Sequence, residues 1–162
     1  MIEFGNDIKM KNAPFLIKSE EGEDNSVRFT VALSICEDTK NTKVDNIEQN
    51  FLKDLLKNKF LILKDDKEVY EIVFERYILY QVRNESFCSK DDYDIQQGKF
   101  FIVFDKSRLL DMLHTITDCQ IAVNGDSYPG NWKHYGIYCQ NHIIDIISHN
   151  EPVIKKLDIA CM

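Results

Sequence analysis

The hydrophobic pattern along the chain changes period several times. Phe15, Leu16 and Ile17 form a short apolar run after Pro14. The acidic, turn-like segment Glu20-Glu21-Gly22-Glu23-Asp24-Asn25 follows. Val27, Phe29, Val31, Leu33 and Ile35 then alternate with smaller or polar residues through Cys36. A period of two marks a strand with one buried face, so the two runs predict a hairpin with an acidic tip. From Asp45 the spacing becomes helical. Ile47, Phe51, Leu52, Leu55 and Leu56 share a face, with Asp45 as N-cap and Glu48 completing a capping box. Phe60 to Leu63 reads as a short strand, Asp65-Asp66-Lys67 as a turn, and Val69 to Val82 as a long β-rich run with a bulge or bend at Glu75-Arg76.

The stretch from Arg83 to Gly98 is mostly polar. Phe100 to Phe104 is a continuous apolar run, the signature of a central strand. A second amphipathic helix is expected near Ser107, with Leu109, Leu110, Met112, Leu113 and Ile116 on one side. Cys119 to Val123 predicts another strand, closed by Asn124-Gly125-Asp126. Lys133 to Cys139, the two-residue turn Gln140-Asn141, and His142 to Ser148 predict a hairpin whose second strand is apolar on both faces. Pro152 suits the first turn of a short terminal helix through Leu157. Strands that come mostly in adjacent pairs, with two substantial helices, predict an α+β fold. Its sheet should be mainly antiparallel, with the two amphipathic helices packed on one face.

Composition bounds this picture. The 162 residues, 44% of them hydrophobic and 29% charged, fit one globular domain spanning 1–162. No internal repeat or Gly/Ser/Pro-rich linker divides the chain. The net charge of −7 opposes phosphate backbones and anionic membranes and favours a basic protein partner, chiefly through association rate. Residues Met1 to Asp7 lack the basic start and apolar run of a targeting segment, and no stretch has the apolar length of a membrane span. Five cysteines, odd in number and without CxxC spacing, are expected as reduced thiols in a cytoplasmic protein.

The tightest polar constellation runs from His134 through Cys139 to His142, with Asp145 close behind. A zinc site would need His134, Cys139 and His142 to converge, but positions 134 and 139 of one strand point to opposite faces, so no metal is expected. Nucleophilic catalysis would use Cys139, with His134 or His142 as base and Asp145 orienting it. A structural reading makes them ordinary strand residues. Asp145 interrupts Ile143-Ile144 and Ile146-Ile147, so it needs a His, Arg or Tyr partner or a partly open face. No phosphate-binding loop, dinucleotide fingerprint, zinc-protease motif, nucleophile elbow or calcium loop occurs, so no cofactor is expected. Tyr128 and Trp132, beside a Pro-Gly loop, are candidate interface anchors. Glu20, Glu21, Glu23 and Asp24 on one tip, and Asp91, Asp92 and Asp94 on another loop, are candidate partner-binding charges.

The segments Trp132 to Cys139, Asn141 to Ser148 and Glu151-Pro152 resemble small acidic cytosolic bacterial proteins, including immunity proteins of polymorphic toxin systems. The resemblance covers about the last third of the chain, rests on the pattern of elements, and carries no residue role with it. It implies a non-enzymatic protein-binding module that inhibits a bacterial toxin domain. The alternative is an enzyme built on the Cys139, His134, His142 and Asp145 neighbourhood.

Overall fold

A computed structural model describes residues 2–7, 10–38, 60–122 and 126–158. Eleven strands occur among them: β1 (Phe15–Glu21), β2 (Val27–Asp38), β3 (Phe60–Phe74), β4 (Tyr77–Asn84), β5 (Ile95–Gln97), β6 (Phe101–Lys106), β7 (Gln120–Ile121), β8 (Ser127–Tyr128), β9 (Lys133–Tyr138), β10 (His142–Ser148) and β11 (Val153–Leu157). One α-helix, α1 (Arg108–Ile116), lies between β6 and β7. Every strand pairing is antiparallel. The first sheet has the order β1-β2-β3-β11, the second β4-β10-β9-β6-β5, and β7-β8 form a small ribbon. The fold is therefore mainly antiparallel sheet with one helix among the described residues. The helix expected around Ile47, Phe51 and Leu55 lies outside them. No described helix is long and apolar enough to cross a membrane.

The two large sheets close on a shared core. Val27, Phe29 and Val31 of β2 and Tyr70, Ile72 and Phe74 of β3 meet Phe101, Tyr135, Ile137, Ile144 and Ile146 of the second sheet. The alternation in β2 is what fills this core, at about 25 cal/mol per Å² of apolar surface removed from water. Phe4 plugs the seam. Its ring lies edge-on to Phe74, Phe101 and Tyr135 at 5.4–6.0 Å between centroids. β10 is buried along nearly its whole length, as its two-sided apolar run requires.

The expected hairpins form. β1 and β2 pair from Phe15–Ala32 to Glu21–Val27, and their acidic turn places Asp24 and Asn25 at φ of 55° and 56°. Asn and Asp are enriched in that left-handed region. Gln140-Asn141 connects β9 to β10, with Cys139 N–H donating to the His142 carbonyl at 2.7 Å. At Glu75-Arg76 the chain bends sharply, Arg76 taking φ 55°, and passes from the first sheet to the second.

Two local readings are corrected. Asp65-Asp66-Lys67 does not separate two strands. Ser34 pairs with Lys64 and Ala32 with Val69, so residues 65–68 bulge opposite Leu33 within one strand. The turn chemistry is real, since Lys67 N–H donates to Asp65 Oδ1 at 3.0 Å, but long-range pairing with β2 runs through it. The terminal helix after Pro152 is instead β11, paired with β3 from Val153–Val73 to Leu157–Val69. Five residues are too few to nucleate a helix, whereas β-branched Val153 and Ile154 complete an open sheet edge. β6, expected as central, is interior but lies between β9 and the edge strand β5; β9 is the central strand. Of the expected Cys119 to Val123 strand, β7 takes Gln120 and Ile121, and Val123 lies outside the described residues.

The N-terminal segment is fastened by a contact that no sequence pattern announced. The buried Asp7 carboxylate accepts the backbone N–H groups of Lys99, Phe100 and Phe101 at 2.6, 2.6 and 3.1 Å. Gly98, at φ 94°, turns the loop around it, and a Cβ there would stand 3.1 Å from Asp7 Oδ1. Asp7→Ala leaves three N–H groups without their acceptor and is expected to lower unfolding free energy by about 1–3 kcal/mol in urea titration; an unchanged midpoint would contradict the assignment.

Candidate functional site

The outer face of the second sheet, turned away from the core, carries the candidate site. Antiparallel register assembles it. Asp145 of β10 pairs with Gln81 of β4 on one side and Gly136 of β9 on the other, while Arg83 and His134 sit two positions along those neighbours on the same face. The carboxylate is saturated. Oδ1 lies 3.3 Å from His134 Nε2, and Oδ2 accepts from Gln81 Nε2 and Arg83 Nε, each at 2.9 Å. Arg83 Nη2 is also 2.9 Å from Oδ2. Asp145 thus has the His and Arg partners that its place among isoleucines demands.

Burial alone would push the Asp145 carboxyl up. Hydrogen bonds from His134 and Gln81, with the positive charge of Arg83, outweigh it and hold the group below the ordinary carboxylate range.

His134 is fixed from three directions. Its ring stacks on Phe104, 4.0 Å between centroids and 8° from parallel. Its Nδ1 lies 2.8 Å from Ser107 Oγ. Gly136 leaves room for the stack, since a Cβ there would approach Phe104 Cε2 at 3.1 Å and Tyr138 Cε1 at 3.2 Å. Ser107 is the N-cap of α1 and accepts Leu110 N–H at 3.1 Å. The order Ser107–His134–Asp145 follows that of a hydrolytic relay. Ser107 is nonetheless 1% exposed, and one Oγ lone pair is committed to the helix. Ser107 was absent from the sequence-level candidates except as a helix start. Its link to His134 spans 27 residues and becomes visible only through the β6–β9 register.

The other candidates disperse. Cys139 belongs to the inter-sheet core with Tyr135 and Ile137, and burial pushes its thiol up to about 12. His142 is half-buried at the start of β10, on the alternate face from Asp145. Cys36, Cys88, Cys119 and Cys139 are free thiols; Cys161 lies outside the described residues. Among the described residues no three His, Cys, Asp or Glu side chains are grouped to hold a metal ion.

The polar segment 85–94 crosses this face as a strap. It leaves β4 beside His142 and enters β5 opposite Lys106, which are opposite edges and opposite ends of the sheet. Asp94 Oδ1 accepts Arg108 N–H at 3.2 Å, and Asp91 pairs with the Arg108 guanidinium. That pairing, with Tyr93 N–H, holds the Asp91 carboxyl below its usual range. Tyr93 is flanked by Lys106 and Arg108, 3.6 and 4.6 Å from its ring centre, and its hydroxyl meets Asp111. Beneath the strap, between sheet and α1, lies a cavity of about 1050 Å³ floored by Gln81, Arg83, Asp145, His134 and Tyr138.

The two acidic segments do not form one patch. Glu21 accepts the Tyr80 hydroxyl at 2.6 Å beside edge strand β4, whereas Asp91, Asp92 and Asp94 lead into edge strand β5, four inter-strand spacings or about 19 Å away. Glu20 pairs with Lys18, and Glu23 and Asp24 are exposed. Trp132, half-buried, packs against the cluster of Leu113, Cys119 and Ile147 and lines a second groove, of about 780 Å³, between α1 and β7; Tyr128 is 67% exposed.

No protein-family model, no curated protein and no solved structure matches this chain. The site is therefore read from its own geometry.

The depressed Asp145 carboxyl has a pH consequence. Its folded pKa lies below the unfolded value of about 3.9, so its contribution is present above that value and is lost as pH falls below it and through the lower folded pKa. Asp145→Asn is expected to cost about 1–3 kcal/mol at neutral pH and to flatten the decline of stability below about pH 4. Urea midpoints measured from pH 3 to 7 check this (roughly the window in which carboxylates titrate), and identical slopes in both proteins would contradict it.

Proposed function

We propose that this chain is a non-enzymatic protein-binding module whose partner surface is centred on α1, and that its partner is a basic protein. The observation that carries this reading is the junction at Tyr93. It joins the acidic strap to the Trp132 groove, since Lys106 and Asp111, both packed on Tyr93, also line that groove. The Trp132 groove offers exposed Ile121 beside Asp105 and Asp111, and the cavity on the other side of the junction offers exposed Met112 beside Asp92. Ile116 of α1 and Tyr128 of β8, which pairs with β7, are also exposed. Apolar anchors within an acidic surround suit a partner that presents cationic residues around an apolar contact.

The buried cluster supports a non-catalytic reading. Cys139 faces the core with a thiol raised by burial, and Ser107 is held as a helix cap. The resemblance of the last third of the chain to immunity proteins makes the specific proposal an inhibitor of a basic bacterial toxin domain, acting in the cytoplasm. Electrostatic steering would speed capture and the Trp132–Tyr128 region would supply residence time.

The test separates the two acidic surfaces. Asp92 is exposed and takes no part in fastening the strap to α1, so Asp92→Lys combined with Tyr128→Ala leaves the fold intact. With the partner captured from the native organism, this variant is expected to slow association by about tenfold and to weaken its salt dependence. Reversal of Glu20 and Glu23 at the other tip is expected to leave both unchanged. Loss of binding on the tip reversal alone would move the surface elsewhere. A turnover abolished by Cys139→Ala in folded protein would establish the enzyme alternative instead.

A further inference from the structure

The cavity under the strap meets the α1 surface only at Met112 and Asp92, and its floor carries a positioned cation with spare donors. Asp145 holds Arg83 through Nε and Nη2, and Nη1 takes no part in those bonds. The pair is asymmetric. The Asp145 side chain is 2% exposed and that of Arg83 42%, so the acid lies beneath and the guanidinium fronts the opening. Gln81 and His134 occupy the remaining reach of the carboxylate and keep the whole assembly in one geometry. Tyr138, beside Arg83, presents a hydroxyl that donates to no protein group among the described residues.

We propose that this cavity is a binding site for a monocarboxylate with an apolar or aromatic body. The guanidinium fork matches a carboxylate in shape and charge, and a hydroxyl donor alongside adds a second contact to the same oxygen pair. Phe100, Phe104, Leu109 and Met112 in the walls supply the apolar complement. The walls also set the charge limit. Five carboxylates in the lining face four cations, Arg83, Lys90, Lys99 and Arg108, and this small acidic excess opposes a dianionic phosphate more than a single negative charge. The volume is at the upper end of ligand pockets, which leaves room for a body larger than one ring. The polar floor of the cavity, Arg83 and Tyr138, lies outside the α1 partner surface, so the proposal is tested without it, although the two share Met112 and Asp92 at the rim.

The experiment is NMR titration of the full chain with three probes: 3-phenylpropionate, its neutral amide 3-phenylpropionamide, and inorganic phosphate. The carboxylate is expected to give saturable shifts of the Arg83 Nε–H and Tyr138 ring signals, with the amide and phosphate weaker by about tenfold or more. Tyr138→Phe, which removes one oxygen and leaves the fold, is expected to weaken the carboxylate several-fold. Arg83→Lys, which keeps a cation for Asp145 and removes the fork, is expected to weaken it by about tenfold. Equal response to carboxylate and amide, tighter binding of phosphate, shifts confined to the Trp132 groove, or no saturable shift would each overturn the proposal.

Discussion

A single carboxylate, Asp145, sets the constraint on which the outer face of the second sheet depends. It stands in β10, a strand buried along nearly its whole length, between Ile144 and Ile146, and would be prohibitively costly there alone. Both neighbouring strands contribute to its satisfaction: Gln81 and Arg83 from β4 and His134 from β9. Because those partners are fixed by cross-strand register, a one-residue slip of either neighbour would turn them to the core and leave the acid unpaired. His134 passes the constraint on to Ser107, and Ser107 to the first turn of α1. The placement of the helix is thus linked to the pairing of the sheet through one polar chain.

The same chain bears on function. A buried acid whose every oxygen is engaged, a histidine stacked and bonded on both nitrogens, and a serine spent on a helix N-terminus form a scaffold with little freedom to react. What the scaffold positions lies on either side of it. Toward the cavity it presents Arg83. Toward solvent it fixes α1, and through Arg108 and Tyr93 it fixes the strap. Asp91 and Asp94 are consumed in that fastening, whereas Asp92 between them stays exposed to a partner.

The period-two stretch of β2 was legible because that strand half-buries itself against one core, and the two-sided apolar run of β10 and the amphipathic start of α1 also follow from local pattern. The demand of Asp145 for a partner was legible too, since a charge within an isoleucine run admits few alternatives. What was not legible depends on long-range pairing. Asp65-Asp66-Lys67 has the chemistry of a turn, and only the partner strand decides that it is a bulge. Val153 to Leu157 has both helical and strand readings until the open edge of β3 is known. The link from Ser107 to His134, and the three N–H groups gathered by Asp7, join residues 27 to 94 positions apart and have no local signature.

The central claim is that His134 and Asp145 act as one coupled structural unit. The most direct measurement is a double-mutant cycle on unfolding free energy with His134→Ala, Asp145→Ala and the pair. The account predicts a coupling of about 1–3 kcal/mol, with the double variant markedly less destabilised than the sum of the singles. Simple additivity would contradict it.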